Sequence, residues 1–351
     1  MLRHLLSLQS APLPHSSGER SWYSKPAVCG ARRAKEVGIT ALLVVLLYSC
    51  SALADDFGLG TAGPGNWGIL ETGTAETVSI TSPAGIETAP GGTSDAANLG
   101  INNGSKLTGS GGLIQGTYYK FTGNSDSNTS LTALAGTISS PAGNSIISQA
   151  ASSATSASTT LAALSADQTF TAQIKASTTI TATVPGRNVI NLQDGVSMSG
   201  ANQILTLSGS SSQSFVINVP NGGISLSNAD SIVLTGGLTP ANVIFNVSGL
   251  TGDTVSLNNN SVINGIVMDL NNTVNMNNAA TINGEIIGGN NINMSNNAQV
   301  EVVVPEASTA AYFTLGPLSL VAVMLLHRRF SRRKQIVVSS SHDPALVADQ
   351  C

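Results

Sequence analysis

Charge is what this chain has least of. Only 10% of its 351 residues are Asp, Glu, Lys or Arg, and only 4% are aromatic. Between residues 55 and 304 the cations are Lys106, Lys120, Lys175 and Arg187 alone, against fourteen carboxylates, so this body carries about −10. Such a surface repels a phosphate backbone, and nucleic acid is not an expected partner. All three cysteines (Cys29, Cys50, Cys351) and all four histidines (His4, His15, His327, His342) lie outside that body. Disulfide staples, thiolate or imidazole metal sites and a Ser-His-Asp relay are therefore not expected within it. Asp194, Asp230, Asp253, Asp269 and Glu285 are scattered singly, whereas a polysaccharide-cutting groove gathers its acids together with Arg, Lys or His. Glycine motifs for phosphate or dinucleotide are missing too. A non-enzymatic protein is expected, with no catalytic, metal or cofactor-binding residue and no cofactor. Asp253 and Asp269 could at most offer calcium an oxygen-only shell, and plain solvated turns are the simpler reading.

What is present is repetition. Val255-Ser-Leu-Asn-Asn-Asn returns as Val274-Asn-Met-Asn-Asn and again as Ile292-Asn-Met-Ser-Asn-Asn, at steps of 19 and 18 residues. Each is followed by a second apolar run, Val262-Ile-Asn-Gly, Thr281-Ile-Asn-Gly or Val300-Glu-Val-Val. A period near 20 made of tiny alternating strands, punctuated by Asn and Gly, is the pattern of a solenoid. Stacked coils would align aliphatic ladders inside and Asn ladders at corners, where Asn tolerates left-handed backbone. Similar strands run from Phe170 onward, and looser ones from residue 55 to 137 read as the first, irregular coils. Trp67, Tyr118, Tyr119 and Phe121 are expected to pack against the core or cover its open end. The stretch 144–164 breaks the pattern: Ile146, Ile147, Ala150, Ala151, Ala154, Ala157, Leu161 and Leu164 mark one face of a helix, with Asn144 as its N-cap. That helix is expected to lie along one side of the solenoid.

The two ends read as sorting segments. Arg32, Arg33 and Lys35 precede an apolar run over 39–47, and Ala52 and Ala54 supply the small residues of a signal-peptidase site. At the other end come Val304, Pro305, Glu306, Ala307 and Ser308, then an apolar stretch over 310–326, then Arg328, Arg329, Arg332, Arg333 and Lys334. Seventeen residues is near the short limit for a bilayer span, and the basic cluster places its end on the cytoplasmic side. The order of motif, apolar helix and basic cluster resembles the PEP-CTERM sorting tail of Gram-negative bacteria, with Ala307 in place of the usual second proline. That resemblance implies an exosortase as processing partner and a protein at the cell envelope or outer surface, held in the membrane by the C-terminal helix before processing.

The run Ile232-Val-Leu-Thr-Gly-Gly-Leu-Thr-Pro-Ala-Asn-Val-Ile-Phe-Asn-Val-Ser-Gly249, with Asn264-Gly-Ile-Val and Asn283-Gly-Glu-Ile-Ile-Gly-Gly, resembles choice-of-anchor A and ice-binding-like adhesive surface proteins. The resemblance implies a right-handed parallel β-helix flanked by a helix. The expected organisation is a signal peptide with an extended leading region over 1–54, a β-helix ectodomain over 55–303, a sorting and anchor segment over 304–334 and a cytoplasmic tail over 335–351. The expected function is adhesion or organisation of an exopolysaccharide matrix, with extracellular polysaccharide as ligand. Two alternatives stand beside it: ice binding, for which Thr178-Thr-Ile-Thr-Ala-Thr183 and Leu205-Thr-Leu-Ser offer hydroxyl-rich fragments, and a polysaccharide-active β-helix enzyme.

Overall fold

The computed structural model describes residues 57–63, 65–90, 96–128, 130–249 and 252–303. They form a three-faced parallel β-helix with a single α-helix, α1 (Pro141–Ala162), along one face. The expected signal-peptide residues Ala52 and Ala54, the motif 304–308, the apolar stretch 310–326 and the basic cluster 328–334 lie outside the described residues. Among the described residues, no helix is long and apolar enough to cross a membrane.

Each full coil contributes one strand to each face. The narrow face stacks three-residue strands such as Val196–Met198, Ile224–Leu226, Val255–Leu257, Val274–Met276 and Ile292–Met294. In each of these the outer two side chains are buried and the middle one faces out, as a strand with one wet side requires. Val196, Ile224, Val255, Val274, Ile292 and Val78 thereby form one continuous inward ladder. Burying each such side chain contributes roughly 1.5–3 kcal/mol before the entropy cost of ordering it.

A flat face follows in each coil. It is built from Thr178–Thr181, Ile204–Ser208, Ser231–Thr235, the first halves of Val262–Asp269 and Thr281–Gly288, then Gln299–Val302 and Gly85–Thr88. In two coils the chain runs from the flat face into the third without a loop, bending at Gly265 and Gly284, whose φ values are 147° and 150°. A Cβ on Gly284 would sit 2.2 Å from the Gly265 carbonyl oxygen, so only glycine allows successive coils to stack at this corner.

The third face is covered on both sides. Ser214–Val219 and Val243–Val247 are buried at every position, because their inward residues join the core and their outward ones meet α1. Val216, Ile244, Ile266, Met268, Ile287 and Leu70 make the outer floor on which Ile147, Ala150, Ala154, Ala157 and Leu161 rest. Small alanines let the Ser- and Thr-rich helix approach closely, and this packing compensates its weak propensity. Two buried asparagines fasten its last turns. Asn218 Nδ2 donates to the Leu161 carbonyl at 2.8 Å, and Asn246 Nδ2 donates to the Ser158 carbonyl at 3.1 Å and to Asn218 Oδ1 at 2.9 Å. The Leu161 carbonyl, which also accepts from Leu164 N at 3.2 Å, thus gains a second donor in the last turn.

Two expectations need correction. The helix starts at Pro141 rather than near 144: Ser140 is the N-cap, its hydroxyl accepting from Gly143 N at 3.2 Å, and Ile146 is 43% exposed instead of joining the buried stripe. Proline at the first helical position needs no amide partner and is a start signal. The strands of 57–138 are also not the first coils in space. Ile69–Glu71 pairs with Ile286–Gly288, Thr77–Ile80 with Ile292–Met294 and Gly85–Thr88 with Gln299–Val302, so the N-terminal coils sit on top of the last C-terminal one. The chain builds outward from that seam, returns along α1, and builds back towards it from the opposite end. The lengths agree: 22 residues of helix span about 33 Å. Seven inter-strand steps, from Tyr118–Lys120 to Arg187–Leu192, span about 34 Å. The aromatics pack against the core, the first of the two roles expected of them. Trp67 meets Tyr119 edge to face at 5.4 Å on the helix side, while Tyr118 is buried and donates to Asp126.

Candidate functional site

Three outer surfaces are open to a partner: the narrow face with its corners, the groove beside α1, and the flat face. The first is ordered and largely self-satisfied. At the corner between narrow and flat faces, Asn228-Ala229, Asn259-Asn260, Asn278-Ala279 and Asn296-Asn297 all hold φ between 53° and 64°. Their first members form the expected ladder, Asn278 Nδ2 donating to Asn259 Oδ1 at 3.0 Å and Asn259 Nδ2 to Asn228 Oδ1 at 3.4 Å. On the face itself Asn293 Nδ2 donates to Asn275 Oδ1 at 2.9 Å. Amides that donate to one another present fewer donors to a polysaccharide, which weakens the adhesive use of these ladders.

The groove beside α1 has a volume of about 400 Å³ and is lined by Thr72, Thr155, Ser158, Thr159, Ser248 and Asn271, among others. Its helix hydroxyls are turned inward: Thr155 donates to the Ala151 carbonyl and Thr159 to that of Thr155, each at 3.0 Å. It offers neither an aromatic platform nor a charge.

The carboxylates that sequence reading left scattered serve the coil. Asp230 accepts from Gln203 N at 2.7 Å and Asp253 from Gly222 N at 2.9 Å. Asp269 Oδ1 accepts from Asn272 N at 3.0 Å, while its Oδ2 has no partner. Asp269 and Glu285 stand on adjacent strands but oppose Gly288 and Ile266 rather than each other. Burial pushes the Asp269 carboxyl from the usual 3.8 to about 7, and that of Glu71 from 4.5 to about 7, against the hydrogen bonds that lower both. Among the described residues, no three His, Cys, Asp or Glu gather where they could hold a metal ion.

The flat face brings together what the sequence keeps apart. Thr179 lies beside Thr206 and Thr181 beside Ser208 on adjacent parallel strands, so the two hydroxyl-rich fragments become neighbours. One strand further, Ser208 is beside Thr235, Ile204 beside Ser231 and Thr206 beside Val233. The rows continue through Val262 and Thr281, and through Asn264 and Asn283. The result is a two-dimensional array of hydroxyl, amide and methyl groups, repeating about every 4.8 Å across strands and about 7 Å along them. It is bare: Thr179, Thr181 and Thr235 are exposed, as is Ile204 at 40%. The inward ladder Leu205, Ile232, Ile263, Ile282, Val300, Ile86 holds it from behind. Val262 and Thr281 align as the repeat spacing implies, whereas a coil-length separation hides that Ser231 and Thr235 join the same array.

A model of ice-binding-like proteins matches residues 80–300. This chain belongs to the ice-binding-like family. The match covers α1 and the coils between residues 80 and 300, and leaves out Ile69–Glu71, most of Thr77–Ile80 and the end of Gln299–Val302. Among solved structures, the ice-binding-like chain is similar to an ice-binding protein from the Antarctic ascomycete Antarctomyces psychrotrophicus, with 19% identity over 70% of this chain and 98% of that one, at a TM-score of 0.45. It is also similar to an ice-binding protein from an Arctic yeast (15% identity, 71% and 96% coverage, TM-score 0.46) and to a domain of an ice-binding protein of Shewanella frigidimarina (14%, 70% and 97%, 0.44). A comparison with curated protein sequences finds no match.

Proposed function

We propose that this ice-binding-like protein binds ice through the outer surface of the flat face, centred on Thr179, Thr181, Thr206, Ser208 and Thr235. The observation that carries the reading is the alignment of Thr179 with Thr206, and of Thr181 with Ser208 and Thr235, on adjacent rungs of one rigid sheet. Ice presents a periodic lattice of water, and a flat face that repeats in two directions can order a matching water layer. Rigidity matters as much as chemistry, because side chains held by a sheet lose little further entropy when they engage. Methyl groups of Thr and Val beside the hydroxyls exclude disordered water, while the hydroxyls anchor ordered water. Sequence reading placed adhesion first because the most regular coils carry Asn and Ser. Family membership and the assembled Thr array support ice binding better.

The test is thermal hysteresis and inhibition of ice recrystallisation by the purified body. Wild-type protein should show both, Thr206→Lys should lose most of the activity while staying folded, and Ser256→Lys on the narrow face should keep it. A folded wild type with no effect on ice would sink the reading, and loss of activity in Ser256→Lys alone would move the site to another face.

Export and anchoring belong to the same proposal. The segment ending at Ala54 and the tail from Val304 to Lys334 would place the array outside the cell, where ice forms, with signal peptidase and an exosortase as processing partners. Intact-mass analysis after cell fractionation tests this: loss of both ends supports it, and an intact tail retained in the membrane overturns the exosortase step.

A further inference from the structure

Glu285 is the one carboxylate among the described residues that is fully buried with neither oxygen hydrogen-bonded. It sits at the corner between the flat and helix-covered faces, at the seam where the N-terminal coils meet the C-terminal ones. The cavity it lines is only about 10 Å³ and is closed by Gly65, Trp67, Pro240, Ala241, Val302 and Val303, with Ile266 and Gly284 beside it. That is room for about one water, and a water needs two or more polar partners, which this apolar lining does not supply. Two of the three covering pieces lie outside the strands, and the third, Val302–Val303, ends the paired strand Gln299–Val302. They are the lead-in to the N-terminal coils, a short 3-10 turn (Pro240–Asn242), and the last described residues before the C-terminal tail.

We infer that Glu285 is a protonation-controlled latch: as a neutral acid it lets these three pieces close over the seam, and as a carboxylate it forces them open. An unpaired carboxylate in an apolar enclosure is among the costliest groups a fold can carry, and among the described residues no cation lines the cavity to offset it. Residues 65–67, Pro240–Asn242, Ile266 and Val302–Val303 bring no titratable or charged side chain to the cavity, and α1 has none along its whole length. Glu301 is the nearest acid along its strand, one residue before Val302 and in the outward row of the flat face beyond Asn283. Glu71 and Asp269 occupy the other edge of the helix-covered face. Burial raises the Glu285 acid well above the usual carboxylate range, so the latch is shut under acidic conditions and opens as pH rises. Opening would loosen together the entry to the N-terminal coils and the last rung at Val302, leaving the other paired strands of both stacks in place.

Trp67 reports on the cover directly. The chain holds two tryptophans, so Trp22→Phe leaves Trp67 alone. In that background, Trp67 emission should shift to the red and acrylamide quenching should rise several-fold as the solution is taken from acidic to alkaline, with far-ultraviolet circular dichroism unchanged. Glu285→Gln, which keeps the shape and removes the proton, should abolish the change. The same transition in Glu285→Gln, or a wild type whose Trp67 stays shielded throughout, would overturn the latch. If Glu285→Gln does not fold, infrared difference spectra of the Trp22→Phe protein decide. A protonated-carboxyl band lost in step with the Trp67 change supports the latch, and a Trp67 change without that loss overturns it.

Discussion

The flat face and the helix-covered face are made by the same coils, in places by the same uninterrupted strand, yet they meet opposite fates. Ile204–Ser208 alternates wet and dry, whereas Ser214–Val219, ten residues later, is buried throughout. The inward sides of both are aliphatic. The outward sides separate them: Thr, Ser, Val and Asn on one, and Val216, Ile244, Ile266 and Ile287 on the other. A sheet surface thus states in its outer residues what will cover it. Continuous aliphatics ask for protein, and an amphiphilic lattice of hydroxyls and methyls is left for solvent, or for ice.

The comparison breaks most completely at the corner both faces share. Gly284→Val should prevent the coils from stacking, because its side chain would enter the space of the Gly265 backbone; a loss of more than about 4 kcal/mol is expected, read by urea unfolding or as failure to fold. Next comes the covered face. Ile244→Ala, beneath α1, should cost about 2–5 kcal/mol and loosen the helix, measured by denaturation and by amide exchange of residues in α1.

Solution pH tests the covered edge, where Glu71 and Asp269 are buried with carboxyls raised to about 7. Both keep their protons in the folded state over a range in which the unfolded chain has already released them. Their contribution to stability is therefore greatest below their ordinary values of 4.5 and 3.8 and declines as pH rises towards about 7, levelling off above it. The two groups contribute on the order of 3 to 4 kcal/mol each to that decline. Melting temperature against pH should fall across this window, and Asp269→Asn should flatten part of the slope; a melting temperature that rises from pH 4.5 to pH 7 would contradict the assignment.

Asn278→Ala is milder. It removes one rung of the corner ladder and puts alanine at a φ of 53°, for a loss of about 1–2 kcal/mol in chemical denaturation. Smallest in stability is Thr206→Val on the flat face, expected within about 0.5 kcal/mol of wild type. Its effect on ice-recrystallisation inhibition then separates the hydroxyl from the methyl: retained activity would show that shape and apolar contact dominate.

Much of the coil was legible because its information is local. Val255, Val274 and Ile292 do stack, and Asn264-Gly265 does lie on Asn283-Gly284, as their spacing implies. The helix was legible from Ala150, Ala154, Ala157 and Leu161, but its first turn holds Pro141 and Gly143, whose intrinsic helix propensity is low, so periodicity does not mark its start. The hydroxyl array of the flat face was half visible. Thr179 and Thr206 stood out as fragments, but 27 residues separate them and nothing in either fragment names its neighbour.

By itself the sequence determined the period, the inward aliphatic ladders, the left-handed Asn corners and the helix with its alanine stripe, since each depends on residues within one coil or a few turns. Only the tertiary structure decided that residues 69–88 stack on residues 286–302, that Glu285 is sealed at that seam, and that the hydroxyl fragments share one bare face. Parallel ladders explain the division. Any rung with the right aliphatic pattern can follow any other, so the order of stacking is set by the length of α1 and the fit of whole coils.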